Sequence, residues 1–163
     1  MPPTSDWQTF LGLQAGAAAT LTGLVFVAVS INITKILTIP GLPGRAAESM
    51  LQFLQVFFMA SVMLIPRQSL AAQGYEAGAI AACTWLAQVF SQMRYARSQS
   101  GHPRRWLLGR TVATQMASIP LFAGSIALLC GNPDGLYVMV PGFLLSFIAG
   151  VSGAWVLLVE ILR

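Results

Sequence analysis

Five stretches of this chain are apolar over the length of a bilayer crossing, which takes about 20 residues of helix. They lie near residues 12–37, 46–66, 73–93, 107–130 and 137–162. The third is the most polar, with Thr84, Gln88, Ser91 and Gln92. The connections are short and rich in helix breakers. Ile39-Pro40-Gly41-Leu42-Pro43-Gly44 separates the first two stretches, Pro66-Arg67-Gln68 ends the second, and Gly131-Asn132-Pro133-Asp134-Gly135 separates the last two. Connections this tight make consecutive helices antiparallel neighbours. Residues 1–163 therefore read as one all-α transmembrane domain, a bundle of five membrane-crossing helices.

The charge content agrees. Charged residues are 9% of the chain, against about 25% in soluble domains, so the bilayer is the expected solvent. The net charge of +4 does not point to nucleic acid, because the cations sit at helix ends. When five crossings are counted, Lys35, Arg45, Arg94, Arg97, Arg104, Arg105, Arg110 and Arg163 fall on one side and Arg67 on the other. Cytoplasmic loops carry the excess of Lys and Arg, so the N-terminus is expected outside and the C-terminus in the cytoplasm. Trp7, Tyr75 and Tyr137 would then mark the outer interface, and Tyr95 and Trp106 the inner one, as amphipathic rings do at headgroup level. Residues 1–10 contain no Lys or Arg, so a cleavable signal peptide is not expected.

The first stretch carries a stripe of small residues. Gly16, Thr20, Gly23, Val27, Ser30 and Thr34 recur at alternating spacings of four and three, and Gly12 extends the same face. Small residues let helix backbones approach closely, and hydroxyls can bond to a neighbouring helix. A packing seam buried in the bundle is the leading reading; a pore-lining face in a ring of subunits is the alternative. In the last stretch, Ser146 and Gly150 make a second small-residue pair that marks a helix contact.

The second stretch places Glu48, Gln52, Gln55, Met59 and Met63 on one helical face. A carboxylate and two amides are costly against lipid, so this face should meet protein or water. Arg110 and Glu160 fall at a similar depth to Glu48, and Arg110 is expected to pair with Glu48 or Glu160. Met59 and Met63 have the spacing of a Cu(I) thioether pair, but gap-filling in a core is the preferred reading. The arginines of the loop at 94–105, Arg94, Arg97, Arg104 and Arg105, are expected to contact anionic lipid headgroups at about 1 kcal/mol each.

Chemistry-bearing motifs are sparse. The single histidine, His102, lies in the basic loop, which leaves an intramembrane haem ligand or Ser–His pair without support. The sequence contains no HExxH, P-loop or GxGxxG motif, and its carboxylates, Asp6, Glu48, Glu76, Asp134 and Glu160, are scattered. No cofactor is implied and no enzymatic activity is expected. Cys83 and Cys130 differ too much in expected depth to form a disulfide and read as two buried small hydrophobes.

The run Thr22-Gly23-Leu24-Val25-Phe26-Val27-Ala28-Val29-Ser30-Ile31-Asn32-Ile33, followed by Gly41-Leu42-Pro43-Gly44-Arg45-Ala46, resembles a group of small bacterial membrane proteins. Some of its members carry a "modulator of FtsH protease" label. The resemblance covers about the first third of the chain, brings no catalytic residues, and implies a multi-pass protein of the bacterial inner membrane. The first stretch is also similar to the pore helix of calcium-release-activated channels, but lacks an acidic residue for a selectivity ring. The expected role is a structural or accessory subunit of a membrane assembly, as a homo-oligomer or within a larger complex. The alternative is a homo-oligomeric channel lined by the first helix.

Overall fold

The structure, a computed structural model, describes residues 5–39, 41–98 and 104–162. Its helices are α1 (Ser5–Ile31), α2 (Ile33–Thr38), α3 (Leu42–Met63), α4 (Leu70–Ser98), α5 (Arg104–Leu129) and α6 (Gly135–Leu162). No strand occurs among the described residues. By length and apolar character α1, α3 and α6 can cross a membrane, and α5 has a shorter apolar run at Thr114–Leu129.

Local chemistry sets the helix ends. The first apolar stretch breaks at Asn32, whose side-chain amide donates to the Ala28 carbonyl at 2.9 Å while its backbone N–H turns to Val29 at 3.2 Å. Asparagine competes in this way with the regular helical bond, and α2 continues as a single short piece. Gly41 takes φ 90°, a left-handed conformation that glycine adopts without strain. Pro43 then sits in the first turn of α3, where its missing N–H costs nothing. Ser69 caps α4 by accepting from the Ala72 N–H at 3.1 Å. The end of α5 is a Schellman turn. Gly131 at φ 79° donates to Leu128 at 2.9 Å, and Asn132 donates to Ala127 at 3.0 Å.

Helices α3, α4, α5 and α6 form an up-down-up-down ring in which each packs against its two sequence or ring neighbours, α6 closing back on α3. Cross-helix contacts set the register: Gln52 meets Gln88, Gln55 meets Thr84 and Ser146, Leu121 meets Gly142, and Ser125 meets Gly78. Helix α1 lies outside this ring against α3 and touches α6 only lightly, where the Trp7 and Tyr137 rings meet edge to face.

The residues that α1 turns inward include Leu11, Ala18 and Val25, seven apart and all buried. A seven-residue repeat keeps one seam in contact along two slowly supercoiling helices. The main apolar core lies between the ring helices, around Met59, Met63, Leu121, Leu128, Met139 and Phe143. A smaller cluster of Ile36, Leu42, Ala46 and Leu157 seals the α2 end.

Candidate functional site

The polar face of α3 points into the ring. Glu48, Gln52 and Gln55 are all buried, and the two amides meet partners on two other helices. Gln52 Nε2 donates to Gln88 Oε1 at 3.3 Å. Gln55 Nε2 donates to Ser146 Oγ at 3.4 Å, and the Thr84 hydroxyl lies 2.5 Å from Gln55 Oε1 and 2.8 Å from the Ile80 carbonyl. Further along α4, Gln92 Nε2 donates to Thr114 Oγ1 at 3.0 Å and Trp85 Nε1 to Gln115 Oε1 at 2.8 Å. Three ring helices are thus tied to one another by side-chain amides and hydroxyls, and α5 joins through Thr114 and Gln115.

The sequence singled out Gln52, Gln55 and Ser146, and the structure places them in two buried groups along the ring, Gln52 with Gln88 and Gln55 with Thr84 and Ser146. It missed the α4 partners. Thr84 and Gln88 are four apart and therefore share a helix face; read that way, they mark a second inward polar stripe. Met59 and Met63 continue the α3 face beyond Gln55 and are fully buried in the apolar core. Among the described residues no three His, Cys, Asp or Glu side chains group as metal donors. The side chains of Arg110 and Glu160, expected to pair with one another or with Glu48, lie outside the described residues, as do those of Arg97, Arg104 and Arg105. Arg94 is exposed.

Helix α6 reaches the ring through its small residues. Gly150 lies against the Phe53 ring, Gly153 against the Ser49 hydroxyl, and Ser146 is fully buried between them and the core. Gly124 and Gly135 make an equally close approach between α5 and α6: a Cβ at 135 would stand 2.6 Å from the Gly124 carbonyl.

The stripe on α1 requires a correction. It is not buried in the bundle: Gly16, Thr20, Gly23, Val27, Ser30 and Thr34 are all exposed, and nothing lies within 4 Å of a Cβ built on Gly12, Gly16 or Gly23. The physical reason is that α1 carries two seven-residue repeats on different faces, and the bulkier Leu11–Ala18–Val25 face buries more apolar area against α3. The stripe's hydroxyls are satisfied locally, Thr20 donating to Gly16 at 2.9 Å and Ser30 to Phe26 at 2.8 Å. The cysteines are not the buried small hydrophobes expected. Both are free and exposed, because Cys83 sits on the outward face of α4 and Cys130 at the α5–α6 turn.

Where α1 and α2 diverge from α6, an apolar cleft of about 210 Å³ opens, lined among others by Val25, Ile36, Phe53, Trp155 and Leu158. Comparison with protein-family models, with curated proteins and with solved structures finds no match to this chain.

Proposed function

We propose that this protein is a non-catalytic, five-crossing bundle of the bacterial inner membrane, N-terminus outside and C-terminus cytoplasmic. It serves as a structural or accessory subunit of a membrane assembly by offering the outer face of α1 to another helix. Membrane residence is supported by an inside-out distribution of polarity. The described ring encloses buried Gln52, Gln55, Gln73, Thr84 and Gln88. Its outer faces carry Tyr75, Leu86, Phe90 and Met93 on α4, and Val112, Met116, Ile119 and Ile126 on α5. Hydropathy averaged along α4 is low because its polar residues face inward; its outer stripe is apolar enough for lipid. That is the support for counting α4 and α5 as crossings beside α1, α3 and α6.

The observation that carries the reading is the unfilled stripe of Gly12, Gly16 and Gly23 on a helix whose other face is already packed. The protein's own internal seams use the same device, glycine against a neighbouring helix at Gly150 and Gly135. Close backbone approach and van der Waals packing drive such association in lipid. The rival reading, a pore lined by α1, needs hydroxyls that face water. Thr20 and Ser30 instead donate to their own helix, which suits a dry contact.

The test is mass determination of the complex extracted gently from its own membranes, for the native chain and for Gly16→Ile with Gly23→Ile. A mass that includes further chains, lost in the double variant, supports the subunit reading. A native mass of one chain, or a mass indifferent to the substitutions, overturns it. Thiol labelling at Ser30→Cys separates the rival: reaction with a charged reagent in the intact assembly favours the pore.

A further inference from the structure

The ring interior is divided lengthwise. From Glu48 to Gln55, about 10 Å along α3 at 1.5 Å per residue, the inward side chains are polar. They are joined by Thr84 and Gln88 from α4 and Ser146 from α6. From Met59 to Met63 the facing side chains include the apolar Ala77, Ala81, Leu121, Leu128, Met139 and Phe143, and the buried Gln73 amide at the far end donates to the Met63 carbonyl at 3.4 Å.

The polar half is not internally satisfied. Ser49 Oγ, Gln52 Oε1 and Gln88 Nε2 are buried without a hydrogen-bond partner among the described residues, on side chains 2%, 2% and 1% exposed. Exchanging oxygen and nitrogen in both amides only changes which atoms are left over, so one donor and one acceptor stay open in either assignment. A hydroxyl, an amide donor and an amide acceptor within one turn of α3 and its facing position on α4 are what a water molecule needs, since it bridges two to four polar groups. The open groups are also costly in a dry interior, and they lie together in the half that holds the Glu48 carboxylate.

We propose that the polar half of the α3–α6 ring is a water-binding chamber. It is continuous with solvent at the Glu48 end and closed toward the other end by the methionine–leucine layer. The ligand is water, held by Ser49, Gln52 and Gln88, and the chamber ends where Gln55, Thr84 and Ser146 satisfy one another. This is a property of the single chain and does not rest on the α1 stripe.

Three buried serines allow a test with minimal change of shape. Ser49→Cys lies in the chamber, Ser146→Cys at its inner end and Ser125→Cys, between Leu121 and Leu128 and against Gly78, within the apolar layer. Each is made in the full-length protein with Cys83→Ala and Cys130→Ala. The thiolate is the reactive form, and ionisation is suppressed in apolar surroundings, so reaction with a small water-soluble thiosulfonate reports water at the sulfur. Labelling is expected at Ser49→Cys and Ser146→Cys and absent at Ser125→Cys. Labelling at Ser49→Cys or Ser146→Cys no faster than at Ser125→Cys overturns the chamber, and so does equal labelling of all three. Gln52→Leu with Gln88→Leu adds a second readout. Loss of labelling at Ser146→Cys in that background supports water held by the amides. Unchanged labelling there, or a higher thermal midpoint with a dry Ser49→Cys, overturns it.

Discussion

Gly150 on α6 lies directly under the Phe53 ring of α3, so close that a methyl group in its place would stand 2.5 Å from Cε1 and 2.6 Å from Cζ. Phe53 is fully buried and also stacks near Phe147 at 6.1 Å between centroids. Gly150 and Phe147 flank the ring, which also borders the apolar cleft. Gly150→Ala is therefore expected to destabilise the bundle by about 1–3 kcal/mol, the usual cost of overpacking. Thermal unfolding in detergent checks this, and Phe53→Leu in the same chain should recover part of the loss.

The outward glycines of α1 should behave in the opposite sense. Gly23→Ala meets no atom within 4 Å, and alanine is favoured over glycine inside a helix by about 0.5–1 kcal/mol. The isolated chain should gain up to that amount of stability. Gly23→Ile should leave the isolated chain folded while lowering the mass of the extracted assembly. Unfolding of the isolated Gly23→Ile chain would show that the stripe packs within the molecule after all.

Gln55 contributes through shape as much as through its bonds. Its removal leaves Thr84 with the Ile80 carbonyl and Ser146 with the Gly142 carbonyl, so no hydroxyl loses its only partner. Polar contacts between membrane helices average about 0.6 kcal/mol. Gln55→Met, which keeps the volume, should cost about 1 kcal/mol or less, whereas Gln55→Ala should cost about 2–4 kcal/mol through the cavity it leaves. Equal costs for the two would place the energy in the hydrogen bonds.

The free cysteines report topology. Cys83 sits between Ala79 and Leu86 on the apolar outer stripe of α4, and Cys130 adjoins the exposed turn at Gly131. In intact cells Cys130 should react with a charged, membrane-impermeant maleimide added outside, while Cys83 should react only with a lipid-soluble one. Protection of Cys130 until the membrane is opened would reverse the proposed orientation.

Much of the fold was legible in the chain because its signals are local. The five apolar stretches are helical, the first with a break at Asn32, and the breakers at Gly41, Pro66–Arg67 and Gly131–Asn132 fall between helices. The polar face of α3 was legible for a similar reason: Glu48, Gln52 and Gln55 share one side of a helix by spacing alone, and amides avoid lipid. Their partners were not, since Gln88 is 36 residues from Gln52 and Ser146 is 91 from Gln55. No local pattern links positions that far apart.

Helix α1 shows where that legibility stops. Its composition makes a long apolar helix, and its spacings draw two seven-residue stripes, Leu11–Ala18–Val25 and Gly16–Gly23–Ser30. Either could have faced α3. Periodicity determines which residues share a face, but it carries no information about which face is turned inward. That choice belonged to the tertiary structure: the larger side chains bury more area and fill the groove beside Met59 and Met63, which leaves the glycine stripe outside. The same holds in the ring, where composition determined that amides must be hidden from lipid and only packing decided which of them found partners.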